Sequence, residues 1–176
     1  MGQHPGQNND QDYFDKHFIH VFGMSPGQAN SSPIWNNYIR PFVDPFLDDR
    51  DLGRYSHEEE LHELVQQAWA DAGVDNDLTL HHEYQLSEGT SQAQGSRIDY
   101  LAVFDDQHTV GIEVKAEGSW HYAEKIHEQL ERYAETGAVN TMLLLTTDPE
   151  LTEIDWPRHL EVPLFIVELA GRRGRL

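Results

Sequence analysis

The chain contains no cysteine, which excludes disulfides, thiolate metal sites and cysteine nucleophiles together. No apolar run approaches the roughly 18 residues that a membrane helix needs, and the polar start does not read as a signal peptide. Cations are scarce: 12 Lys+Arg stand against 31 Asp+Glu, a formal net charge of -19. Lysine occurs only at Lys16, Lys115 and Lys125. A surface this acidic repels polyanions, which argues against a broad basic footprint on nucleic acid or a membrane. Phosphate-binding glycine loops, a dinucleotide fingerprint and a serine nucleophile elbow are missing as well. A soluble intracellular (cytoplasmic) protein is the expectation. The 176 residues allow one domain with a real core and an appended segment.

What is present points away from disorder. Apolar residues make up 38% of the chain, and they recur with clear period, so the acidity reads as a strongly hydrated surface. At about 1 M salt the Debye length is only ~3 Å, and repulsion among surface carboxylates is screened. The composition resembles that of proteins from salt-loving archaea or their viruses. An ordinary acidic protein is the alternative.

Three stretches differ in character. Residues 1–12 are polar after Met1 and read as a disordered lead. Residues 13–55 form an aromatic N-terminal arm carrying Tyr13, Phe14, Phe18, Phe22, Trp35, Tyr38, Phe42 and Phe46, interrupted by Pro26, Pro33, Pro41 and Pro45. Proline breaks long helices, so short helical pieces are predicted there, packed on the main domain or serving a protein partner or a second copy. The main domain is predicted over residues 56–176. Ser56 and Glu59 have capping-box spacing, followed by Leu61, Leu64, Val65, Ala68 and Ala72 at helical period, with Gly73 as the stop. Leu78–Leu86 alternates like a strand, and Ser87–Ser96 reads as a loop. Arg97–Phe104 and Thr109–Ala116 read as a hairpin. Ala123–Thr136 is an amphipathic helix with Ile126, Leu130 and Tyr133 inward, ended by Gly137. Thr141–Thr147 has the continuous apolar run of a buried strand. Val162–Leu169 is a further strand, and Arg172, Arg173 and Arg175 form a short basic tail. The order from Ser56 to Thr147 is α-β-β-β-α-β, an α/β fold with a mixed sheet.

The hairpin carries the chemistry. Side chains alternate along a strand, so Glu113 and Lys115 share one face while Ile112, Val114 and Ala116 take the other. Counting back from the turn places Asp99 across from Glu113–Lys115. Two hard carboxylates suit Mg²⁺ or Mn²⁺, which keeps waters for a substrate phosphate. Such a metal lowers the pKa of bound water and neutralises a pentavalent phosphorane, and an adjacent ammonium orients water and stabilises the same charge. The same residues also fit a cross-strand ion pair on a solvated face, worth under ~1 kcal/mol.

Asp99, Glu113-x-Lys115 and the later Gln129-x-x-x-Tyr133 resemble, in that order, the PD-(D/E)xK phosphodiesterase superfamily and its RecB-like branch. The resemblance covers roughly Ser56–Thr147, with Ile98 where the family usually has proline. It implies a restriction-endonuclease-like αβββαβ core and Mg²⁺- or Mn²⁺-dependent hydrolysis of DNA, in repair, recombination, replication or defence. It implies Asp99, Glu113 and the Val114 carbonyl as metal ligands and Lys115 as the group that activates water and stabilises charge. Gln129 would orient Lys115 or the phosphate, supported by Tyr133. A first-helix ligand is also implied. Glu59 and Glu63 point away from the apolar face at ~100° per residue, Glu58 and Glu60 flank it, and Leu61-His62-Glu63-Leu64 resembles the RecB-like His motif, so Glu60 or His62 is the expected ligand. Arg97 and Arg132 are candidate contacts to nucleic acid. A non-cleaving binding or regulatory subunit of the same fold is the alternative. His57 and His62, five residues apart, stand ~140° apart on a helix and do not share a metal.

Overall fold

A computed structural model of the protein describes residues 19–22, 33–47, 52–85, 97–153, 162–170 and 172–173. Its centre is the predicted hairpin, β4 (Arg97–Phe104) and β5 (Thr109–Lys115). The turn between them is closed by Phe104 N–H on the His108 carbonyl at 3.0 Å and Gln107 N–H on the Phe104 carbonyl at 2.9 Å. Gln107 takes the left-handed φ of 73° that this reversal requires. β3 (Leu78–Gln85) pairs antiparallel with β4. β6 (Thr141–Thr146), buried at every residue, runs parallel to β5, and β7 (Leu164–Glu168) parallel to β6. A short β1 (Ile19–Phe22) closes the edge antiparallel to β7. The result is an open, mixed six-stranded sheet in the order β1-β7-β6-β5-β4-β3. Its central parallel strands are apolar on both faces because helices cover both.

One cover consists of a π-helical turn (Ile34–Ile39), α1 (Arg40–Val43), a 3-10 turn (Asp44–Phe46) and α2 (Glu58–Ala72). Trp35, Ile39, Phe42 and Val43 join Leu61, Val65 and Trp69 of α2 over Tyr100, Ile112, Val114, Leu143, Leu145 and Phe165. The opposite cover is α3 (Ala123–Glu135), whose Ile126, Leu130, Tyr133 and Ala134 pack on Ile98, Leu101, Met142, Leu144 and Ile166. Gly73 and Gly137 end the regions of α2 and α3 with φ of 67° and 70°, the left-handed stop that glycine adopts without strain.

Several expectations need correction. The short helical pieces predicted within 13–55 are present, but this segment also supplies β1, which aromatic spacing does not reveal. Among the described residues it belongs to the same sheet and core as residues 56–176. The capping pair is shifted: α2 starts after His57, and Glu60, not Glu59, reaches back to the Ser56 amide at 2.7 Å. The buried stripe of α2 is Leu61–Val65–Trp69, with Leu64 and Ala68 at its margin. The tail Arg172–Arg173 is β8, parallel to β2 (Arg54–Tyr55). The expected lead 1–12, the loop 87–96 and Arg175 lie outside the described residues. Among the described residues no helix is long and apolar enough to cross a membrane.

Gly111 shows how tightly the α3 side is filled. A Cβ there would sit 2.5 Å from Ile98 Cδ1 and 3.1 Å from Val139 Cγ1, both in fully packed side chains. Overfilling a core in this way costs about 1–3 kcal/mol. Gly111→Ala is therefore expected to lower the thermal midpoint by several degrees in a calorimetric scan. An unchanged midpoint would show that the two side chains relax freely.

Candidate active site

The β4–β5 ladder pairs Val103 with Thr109 and ends at Tyr100–Ile112. One step further, at Asp99 and Glu113, side chains take over the backbone's hydrogen bonds. Asp99 N–H donates to Glu113 Oε1 at 3.2 Å, and Val114 N–H donates to Asp99 Oδ2 at 3.0 Å. Each carboxylate is thus held by the opposing strand. On the other neighbour of β4, Glu83 lies at the same level with a left-handed φ of 52°, between the regular pairs His82–Tyr100 and Tyr84–Ile98. The sheet gives up regular pairing where the carboxylates gather.

Glu113 is only 1% exposed. Its Oε1 accepts from the Asp99 amide and faces Tyr133 OH at 3.0 Å. Its Oε2 is buried without a hydrogen bond, with Lys115 Nζ at 3.4 Å. Burial first, and then the adjacent Asp99 carboxylate, push the Glu113 carboxyl up to about 8. Burial pulls Lys115 down, but the facing charges of Glu113, Asp99 and Glu58 outweigh it and raise it. The ammonium is therefore the lasting charge of the pair, and Glu113 holds a proton well into the neutral range.

Gln129 and Tyr133 do converge on this point. Gln129 Nε2 donates to Tyr133 OH at 2.5 Å, and the Tyr133 hydroxyl has Glu113 Oε1 at 3.0 Å and the Arg97 carbonyl at 2.6 Å as acceptors for one proton. Gln129 contacts Tyr133 and through the phenol supports Glu113. Arg97 enters by its backbone carbonyl. Arg132 is exposed and its Nε turns back to the Glu128 carbonyl at 3.4 Å.

From the other face comes α2. His62 Nε2 lies 3.7 Å from Asp99 Oδ2 and 4.0 Å from Glu58 Oε1. Its Nδ1 pairs with Tyr100 OH at 2.8 Å, and Gln66 Nε2 donates to the same hydroxyl at 2.8 Å. With Nδ1 engaged, Nε2 is the nitrogen presented to Asp99. Burial raises the Tyr100 phenol to about 12, so it stays protonated. Of the two first-helix candidates, the structure brings His62 to Asp99, while Glu60 is occupied at the Ser56 amide. Glu58, which flanks the apolar face of α2, lies by His62, while Tyr100 and Gln66 were not readable as site residues. The only signals for those two are their place one residue after Asp99 and one turn after His62.

A cleft of about 460 Å³ opens onto Asp99 between α2 and β3, lined by Glu58, Glu59, His62, Glu63, Gln66, His82 and Glu83. Among the described residues no three His, Asp or Glu side chains already enclose a metal position. The donor set nevertheless fits a hard cation: two carboxylates side by side, one with a buried oxygen that accepts no hydrogen bond. Mg²⁺ is commonly held by one or two carboxylates, with water and substrate completing its shell. Comparison with known protein families, curated proteins and solved structures finds no match for this chain.

Proposed function

We propose that the protein is a metal-dependent deoxyribonuclease of the PD-(D/E)xK type, RecB-like branch. The observation that carries this reading is the convergence of Asp99, Glu113 and Lys115 where the β4–β5 ladder opens, with Glu113 Oε2 left buried and without a hydrogen bond. A cross-strand ion pair on a solvated face would leave its carboxylate in water, whereas Glu113 is 1% exposed and its Oε2 faces the Lys115 ammonium at 3.4 Å without a hydrogen bond. The order α2-β3-β4-β5-α3-β6, with β6 parallel to β5, agrees with the αβββαβ core that the motifs imply.

Asp99 and Glu113 would hold Mg²⁺ or Mn²⁺, with His62, whose Nε2 lies 3.7 Å from Asp99 Oδ2, as a third side chain. Bound there, the metal would supply charge neutralisation at the phosphate and a more acidic water. The chain's own residues do the rest. The raised Lys115 stays an ammonium, so it orients the attacking water and stabilises developing negative charge and does not serve as the base. Tyr133 and Gln129 keep Glu113 aimed. The acidic cleft walls repel phosphate until cations cover them, so activity and substrate binding both depend on cations.

The test is cleavage of single-stranded, duplex and branched DNA with Mg²⁺ or Mn²⁺, against EDTA, in low and molar salt. Metal-dependent products support the reading. Intact substrate under every condition would remove the enzyme and leave a non-cleaving binding subunit.

A further inference from the structure

Among the described residues the exposed large hydrophobic side chains are Tyr84, Trp120 and Tyr122, and the last two, at 42% and 61% exposure, lie on one short segment. That segment follows β5 directly: the turn after Lys115 leads into a 3-10 turn over Ser119–Tyr122 and then into α3. Its backbone is anchored. Asp148, 2% exposed, accepts Gly118 N–H at 3.1 Å and Trp120 N–H at 3.0 Å through one carboxylate oxygen. Glu117 N–H donates to Tyr55 OH at 3.1 Å, and Ser119 Oγ to the Ala116 carbonyl at 2.6 Å. The two rings are held out on a fixed backbone, with His121 against Trp120 at 3.8 Å between centroids and Lys125 Nζ 5.7 Å over the Tyr122 ring.

We infer that Trp120 and Tyr122, with Lys125, form a stacking surface for the unpaired bases of single-stranded DNA beside the Asp99–Glu113–Lys115 site. Both the choice of DNA as ligand and the placement beside that site rest on the nuclease reading. With DNA as the ligand, charge decides its form. A chain of net charge -19 gains little from releasing counterions off phosphates. Its affinity must come from contacts that salt does not screen, and base–aromatic stacking is such a contact. Stacking needs ring faces that duplex DNA keeps buried between its own base pairs, so single strands are the match. Two of the three lysines serve this region: Lys115 in the site and Lys125 over Tyr122. A pre-ordered segment also avoids the entropy of fixing a loop on binding.

The test uses the full chain in EDTA, so that cleavage plays no part, and a fluorescein-labelled dT12 probe in 0.1 M and 2 M KCl. Controls are a 12-residue abasic strand and a hairpin duplex. Expected are tighter binding of dT12 than of the abasic strand and the duplex, quenching of tryptophan emission, and a shallow salt slope. Trp120→Ala and Tyr122→Ala are each expected to weaken dT12 by about fivefold or more, with thermal midpoints close to wild type because both rings are exposed, while Trp120→Phe keeps most of the affinity. Equal binding of dT12 and the abasic strand, or a preference for the duplex, would overturn the proposal without recourse to any variant. Stacking without cleavage in metal would remove the nuclease and keep this surface; cleavage without a contribution from bases would do the reverse.

Discussion

Lys115→Ala is expected to reduce metal-dependent DNA cleavage by about 10²–10³-fold, the loss seen when one preorganised charge-stabilising donor is removed. The ammonium faces the buried Glu113 Oε2 at 3.4 Å, and the surrounding carboxylates raise it. It is therefore charged whenever the substrate is bound. Its deletion removes stabilisation of the developing phosphorane charge and the orientation of the attacking water, neither of which the ground-state complex needs in full. The loss is expected in the rate of bond breaking, with single-turnover rates falling and dT12 binding in EDTA retained. Equal cleavage by Lys115→Ala and the wild type would remove the assigned site, whatever the overall activity.

Glu113→Gln is expected to abolish cleavage and, in EDTA at alkaline pH, to stabilise the fold. The native Glu113 carboxyl is raised to about 8, above its ordinary range near 4.3. The folded state thus prefers the protonated form. That stabilisation is complete below the ordinary carboxylate pKa and is lost as pH rises through about 8, when a charge must be buried beside Asp99. Across that window the linkage is on the order of a few kcal/mol. Glutamine copies the neutral form at every pH. The gap in thermal midpoint, variant above wild type, should open between pH 5 and 8 and then level off. General repulsion among the many surface carboxylates is shared by both proteins and cancels in the difference. With Mn²⁺ present the order reverses, because the wild type ionises Glu113 to bind the metal and is stabilised by it, while the variant is not. Parallel midpoint curves for the two proteins in EDTA would show that Glu113 is ionised in the fold from low pH.

The alternating hairpin, the two helices with glycine stops and the apolar run of β6 were legible because each depends on local periodicity, and local periodicity is written in sequence. Asp99, Glu113 and Lys115 were legible for the same reason: strand alternation and a short turn fix which residues face each other. Gln129 and Tyr133 could be placed on one face of α3, but not assigned a partner. Helical spacing brings Gln129 to the Tyr133 hydroxyl, and only the packing of α3 on the sheet brings that hydroxyl to Glu113. The strand β1 was invisible because an edge strand of four residues carries too few positions to show a period. It forms only because β7 offers it an open edge.

The amino-acid sequence by itself determined the acidic, cysteine-free character, the order of elements from α2 to β7 and the pairing of two carboxylates with a lysine on one hairpin. Only the tertiary structure shows that His62, and not Glu60, lies beside Asp99. A helix's start depends on which acceptor its first amides find, and here Glu60 is spent on the Ser56 amide while Tyr100 and Gln66 turn His62 towards Asp99. Only the packing of α3 against the sheet buries Glu113 and so moves its proton into the neutral range, because desolvation is a property of everything around a group and not of its neighbours in the chain.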